Sequence, residues 1–303
     1  MFGFDTATVQ NDTVLFISIV KGKAALFEDL IVVNTTDTAT ITNEILKIAN
    51  QVQDEYGTIR FVTGDNKENK TLETICKSLE DKDGIVRLSL SDPTHTTDLS
   101  VKDLPKSFSV IQRIIDGSKK LTVFLKLKHV RALIAEMKTI GTILVIPPTP
   151  TGFSETRFYD AYTGLQSIAP YDHVIAKMYA HEGEHADGFK KKVRRGGRND
   201  VRDVATLEFF EAMNHLTKLL EPSKIACRLL STLKFNVSIY AMVVLIKHKE
   251  QNAIITETSF LNAFKNFEFK EDEATSKFKN DLMKCLKIRY NLDGSKPKKD
   301  DQF

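Results

Sequence analysis

Two short peptides place carboxylates where a sheet could use them. They are Gly3-Phe4-Asp5, in the first apolar run, and Thr63-Gly64-Asp65-Asn66, which closes a later one. Each sets an aspartate at an expected strand end. Two such carboxylates brought together are the least a protein must supply to hold a pair of Mg²⁺ ions against a phosphodiester, because Mg²⁺ takes hard oxygen ligands. The same residues suit plainer work. Aspartate at a strand end turns the chain or caps a helix, Gly64 permits a tight turn, and Asn66 can cap the helix that follows.

Three further groups carry chemistry. Asp92 and His95 stand three apart at an expected helix start, where the aspartate would accept backbone N–H bonds and the histidine would lie one turn on; a simple cap before Pro93 at the first helical turn by itself explains Asp-Pro and is the favoured reading. His181-Glu182-Gly183-Glu184-His185 is a literal His-Glu-x-x-His. In a helix it would set two imidazoles on one face with Glu182 beside them, as zinc hydrolases do. Gly183 would cost such a helix about 1 kcal/mol relative to alanine. A metzincin's third histidine would fall at Lys191, and the neighbouring Gly, Asp and Lys read as a polar loop, so the expectation is a solvated linker without zinc. The densest basic run is Lys190, Lys191, Lys192, Arg194, Arg195 and Arg198 around two glycines. It reads as a flexible loop that could follow a phosphate backbone without reading bases, serve as a nuclear import signal, or simply be solvated.

The elements that must position these groups fall into two regimes. Residues 2–8, 14–20 and 25–33 read as three strands, the last two joined by a Lys-Gly-Lys turn. Ile41, Ile45, Ile48, Ala49 and Val52 recur at helical spacing behind several possible caps and stop at Gly57. A strand over 58–63, a helix over 69–79 and a strand over 85–90 complete the order β-β-β-α-β-α-β. Beyond Ser91 the pattern predicts helices at 98–104, 108–116, 121–138, 158–167, 171–180, 203–220, 223–233, 237–248, 259–267 and 273–290. In the third of these, Lys126, Lys128 and Arg131, with Lys119 and Lys120 before them, mark a wet face, and Val123, Leu127 and Ile134 point inward. The fold class is therefore α/β, a mixed sheet over residues 1–92 followed by an all-α region over 93–303. Within the latter, 171–202 is a polar and basic region, mostly loop after residue 180, and 293–303 a disordered tail.

Composition narrows the classes further. The 303 residues are 42% hydrophobic and 27% charged, ordinary values for a globular chain. The longest apolar run, 239–246, has the length of a core segment, well short of the roughly 18 residues of a membrane span. No secretory series opens the chain, and three unspaced cysteines form neither a disulfide framework nor a metal cluster. A net charge of +3 leaves any nucleic-acid argument to local charge.

Read together, several of these peptides resemble hAT-superfamily transposases. Thr63-Gly64-Asp65-Asn66 is similar to that family's Thr-Asp-Asn peptide, and Phe4-Asp5-Thr6-Ala7-Thr8 to its first-strand Asp-Gly-Trp-Thr. Asp92-Pro93-Thr94-His95, followed by Leu99 to Leu104, resembles its Cys/Asp-x-x-His motif. Thr156-Arg157-Phe158, then Tyr162 and Leu165, resembles Thr-Arg-Trp, and residues 209–222 resemble the helix of its insertion that ends at Leu-x-Pro. The matches occur in order along most of the chain. They imply a ribonuclease H-like core with a large helical insertion, Asp5 and Asp65 as metal-binding catalytic acids, and Asp92, His95, Arg157 and Phe158 in support. The departures are a chain without tryptophan, no zinc-binding BED-type finger before the first strand, and no assignable third acid. The resemblance thus implies a fragment or a decayed or domesticated relative. Its ancestral Mg²⁺-dependent DNA cleavage and strand transfer would be incomplete in this chain. Its partners would be DNA, bound weakly and without sequence preference, and further copies of the chain, and its place the nucleus. A non-catalytic DNA- or protein-binding scaffold is the alternative, and a zinc hydrolase using His181, Glu182 and His185 a second.

Overall fold

Three strands open the chain because their apolar residues alternate or run continuously between turn residues: β1 (Phe2–Val9), β2 (Asp12–Lys21) and β3 (Ala24–Val33). A computed structural model describes residues 1–9, 12–21, 24–64, 69–91, 93–153, 158–194, 201–232, 237–269 and 271–288. It divides into two compact units, one holding residues 1–96 and the other running from Thr97.

In the first unit α1 (Thr38–Tyr56) follows β3, and then come β4 (Phe61–Gly64), α2 (Asn69–Asp83) and β5 (Leu88–Ser91). The α1 helix starts where Asp37 accepts bonds from the Thr40 N–H at 2.8 Å and the Thr40 hydroxyl at 2.7 Å. It ends at Gly57, whose φ of 91° an L side chain would resist. The strands form one mixed sheet in the order β3-β2-β1-β4-β5, with β1, β2 and β3 antiparallel and β4 parallel to both β1 and β5. The α/β order read from the sequence is present, as is the helical region after it.

One face of this sheet is the core. Phe2, Phe4, Leu15, Ile17, Ile19 and Val62 pack there against Ile45, Ala49 and Val52 of α1 and Leu72, Ile75 and Leu79 of α2. On the other face the cross-strand row Asp5, Phe16, Leu30 is exposed, with Phe16 at 45% and Leu30 at 60% of full exposure. The strand expected from residue 85 begins only at Leu88. The cause is an ionic knot: the fully buried Arg87 guanidinium donates to both Asp83 oxygens, to the Ile85 carbonyl and, at 2.9 Å, to Gln53 of α1. The Ile85 N–H also donates to Asp83 at 3.0 Å, so residues 83–87 are tied as a turn.

After Ser91 all regular structure among the described residues is helical: α3 (Pro93–Ser107), α4 (Ser109–Leu125), α5 (Lys128–Thr139), α6 (Phe158–Ile168), α7 (Asp172–Ala180), α8 (Ala186–Arg194), α9 (Leu207–Thr232), α10 (Val237–Thr256), α11 (Thr258–Phe264) and α12 (Asp272–Ile288). From Thr97 on, these helices share one large apolar core. Two expected boundaries move. The helix read over 121–138 is broken at Lys126–Leu127, so Val123 belongs to α4, where Leu121, Phe124 and Leu125 take the inner face and Val123 is left 56% exposed. The break expected before Ser223 does not occur, and α9 runs through Pro222. Proline there removes a helical N–H. Beside it, Gln251 Nε2 of α10 donates to the Leu219 carbonyl at 3.2 Å and to Ser223 Oγ at 3.0 Å, a buried polar tie across the two helices.

Candidate functional site

The carboxylate peptides are set by how closely β1 and β4 approach. The two strands pair in parallel through Phe2 with Val62 and Gly3 with Thr63. A Cβ on Gly3 would lie 2.7 Å from Ser18 Oγ and 3.1 Å from Thr63 Cγ2, and one on Gly64 would lie 2.9 Å from the Phe4 ring. Both glycines of the two peptides therefore answer a packing demand. The role expected for Gly64, a tight turn, is replaced: it is the last residue of β4, and the ring of Phe4 fills the space a side chain would need. Asp5 is not at a strand end as expected: it lies inside β1, paired with Phe16 and exposed, with its Oδ1 accepting the Thr6 N–H at 2.8 Å. Asp65 and Asn66 lie outside the described residues, and no group of three His, Cys, Asp or Glu that could hold a metal exists among those described.

The supporting motif residues are spread over helix starts. His95 is the third residue of α3 and half-buried, one turn in as its spacing predicts, and Pro93 takes the first helical position. Asp92 and Arg157 lie outside the described residues. Phe158 opens α6, and one turn on Tyr162 and Leu165 enter the core, where Lys224 Nζ stands 4.3 Å above the Tyr162 ring.

Residues 181–185 form no helix. They join α7 to α8, so His181 and His185 do not share a helical face, and the zinc-hydrolase arrangement is not built. The solvated-linker expectation also needs correcting, since the His181 imidazole is buried and its Nε2 lies 3.6 Å from Glu136 Oε1 on α5. Gly183 makes this approach possible. A Cβ on it would stand within 2.7 Å of both groups. Glu136, 45 residues away, gave no signal in the sequence.

The basic run is not the loop expected. Its first residues belong to α8, which Ala186 and Phe189 anchor, the Phe189 ring meeting Phe124 at 5.5 Å and Tyr179 at 5.3 Å between centroids. Lys190 is half-buried and Lys191 exposed. The side chains of Lys192 and Arg194, and all of Arg195 and Arg198, lie outside the described residues, as does the tail after residue 288.

One polar cluster escaped sequence reading. The apolar run 239–246, expected to be core throughout, faces two ways in α10: Val243 and Val244 are buried while Met242, Leu245 and Ile246 are about half exposed. Lys247, His248 and Gln251 occupy the buried side instead, with Lys247 only 2% exposed. Burial pushes the Lys247 amine down to about 7, partly offset by Cys227 of α9. Burial, then the charges of Lys247 and Lys287, push His248 down to about 3.

Neither a family model nor a curated protein matches the chain.

Proposed function

We propose that this chain is a transposase-derived protein of hAT type, with a ribonuclease H-like first unit and an insertion-like helical second unit, acting as a DNA-contacting scaffold and not as a complete nuclease. The observation that carries the reading is the strand order β3-β2-β1-β4-β5, antiparallel on one side of β1 and parallel on the other, with an aspartate exposed on the central strand. Such a sheet sets the end of β4 beside the first half of β1, the half that carries Asp5. A bound Mg²⁺ would supply Lewis-acid stabilisation of a phosphodiester and a more acidic water; Asp5 and Asp65 are the residues that would hold it. Asp5 fits that work in one respect, since its carboxylate is open to solvent and engaged only by the adjacent Thr6 N–H among the described residues. Two acids hold one metal better than two, and members of a catalytic unit fail together, so phosphoryl transfer is not expected of this chain.

Contact with DNA is assigned to α8 and the basic residues after it. Lys190, Lys191, Lys192, Arg194, Arg195 and Arg198 would meet phosphates, giving affinity without base reading, and the same run would serve nuclear entry. The test has two arms. Incubated with hairpin and nicked DNA and Mg²⁺ or Mn²⁺, the purified chain should release no cleaved strand; cleavage that disappears in Asp65→Asn would refute the incomplete site. In salt titrations of DNA binding, Lys191→Ala/Arg194→Ala/Arg195→Ala should flatten the dependence of affinity on salt, and an unchanged slope would remove the scaffold role from this segment.

A further inference from the structure

The second unit carries a groove that none of the roles above uses. Leu104 and Leu220 form its buried floor, Pro105, Ile115, Phe153 and Ala161 its half-exposed walls, and it encloses about 490 Å³. The Phe153 wall is built in: its ring atoms stand 2.7 to 2.8 Å from where a Cβ on Gly164 would be, so the glycine lets the ring lie against α6. The groove's volume lies in the range of roughly 300–1,000 Å³ typical of small-ligand sites, which are mostly apolar with a few placed polar groups.

Its charge is one-sided. Lys102, Lys106 and Lys119 line it, and no acidic residue does among those described. Lys102 is held by Asp98 at 2.6 Å, whereas Lys106 and Lys119 make no ion pair among the described residues. Lysine stems cover apolar surface while the ammonium heads reach water, so these two cations line an apolar trough with no acidic partner among the described residues.

We infer that this groove binds an anionic amphiphile, a single alkyl chain ending in a carboxylate, with the chain on the Pro105, Ile115, Phe153 and Ala161 walls and the head group at Lys106 and Lys119. The apolar part of such a ligand gains by leaving water, and the lysines choose the sign of the head. A nucleic acid would leave the aliphatic floor unused, and a cationic amphiphile would meet like charge.

Calorimetric titration with dodecanoate, kept below its micellar concentration, tests this, with dodecyltrimethylammonium as the control of opposite charge. Dodecanoate should bind saturably at one site per chain and the cation should not. Lys106→Glu/Lys119→Glu, both lining the groove, should weaken dodecanoate by about tenfold or more, and Ala161→Phe, which fills the trough, should weaken it to a similar degree. Circular dichroism checks that each variant is folded, and the lysine variant alone suffices should Ala161→Phe fail. Absence of saturable binding, equal binding of the two amphiphiles, or dodecanoate binding unchanged by the lysine variant would overturn the inference.

Discussion

Replacing Lys247 with methionine should stabilise the protein, and by an amount that depends on pH. The lysine sits on the buried side of α10, and burial lowers its amine from 10.5 to about 7. Its folded value is below its unfolded value, so between these limits the unfolded chain binds the extra proton. Stability must then rise with pH across the window from about 7 to 10.5 and carry its full penalty below it. Linkage gives a slope of about 1.4 kcal/mol per pH unit inside the window and a penalty of about 4 kcal/mol at pH 7 from this one group. Methionine has similar length, no charge and no proton to exchange. Urea unfolding followed by far-ultraviolet circular dichroism, suited to a chain without tryptophan, should be run at pH 7, 8 and 9. All three lie above the window between about 3 and 6.5 in which His248, itself depressed by burial, changes charge. Lys247→Met should be the more stable protein at pH 7, and its advantage should shrink by roughly 1 kcal/mol at each step. An advantage that does not change with pH, or a variant less stable throughout, would mean that the lysine is charged and compensated inside the fold.

Three further outcomes follow from close contacts. Gly117→Ala should destabilise by about 1–3 kcal/mol in urea titration, because overpacking forces neighbours to move; its Cβ would lie 2.6 Å from both Phe209 and Val204. Gly64→Ala should destabilise through its 2.9 Å approach to the Phe4 ring, and Phe4→Leu should recover part of the loss, a coupling that a double-mutant cycle measures. The hydrogen bond from Arg87 holds Asp83 down to about 2, below its ordinary 3.8. A depressed carboxylate contributes stability that is present above 3.8 and lost as pH falls through 2, so acid unfolding of Asp83→Asn should lack the dependence the parent shows in that window.

Much of the first unit was legible because its information is local. Strand runs such as residues 14–20, the Asp37 cap and the stop at Gly57 depend on near neighbours, and they yield the order of three strands, helix, strand, helix, strand. The same residues do not declare which strands adjoin. That β1 lies between β2 and β4 follows from the crossover through α1, and the need for Gly64 becomes visible only once β1 and β4 are side by side.

In the helical unit the sequence alone determined that helices follow one another and that apolar stripes recur, since both rest on a period of 3.6 residues. Tertiary structure decided where a stripe stops and which side faces in. Val123 changed sides because a break three residues beyond it, at Lys126, reset the phase of the pattern. The α9 helix runs through Pro222, and Gln251, on another helix, is tied beside it to the Leu219 carbonyl and Ser223. His181 is buried because Glu136 and the space at Gly183 meet it, and α10 turns Lys247 inward and Leu245 outward against the plain hydrophobic expectation. Each of these outcomes depends on a partner distant in sequence, whose contact energy exceeds the small local preferences that a pattern can record.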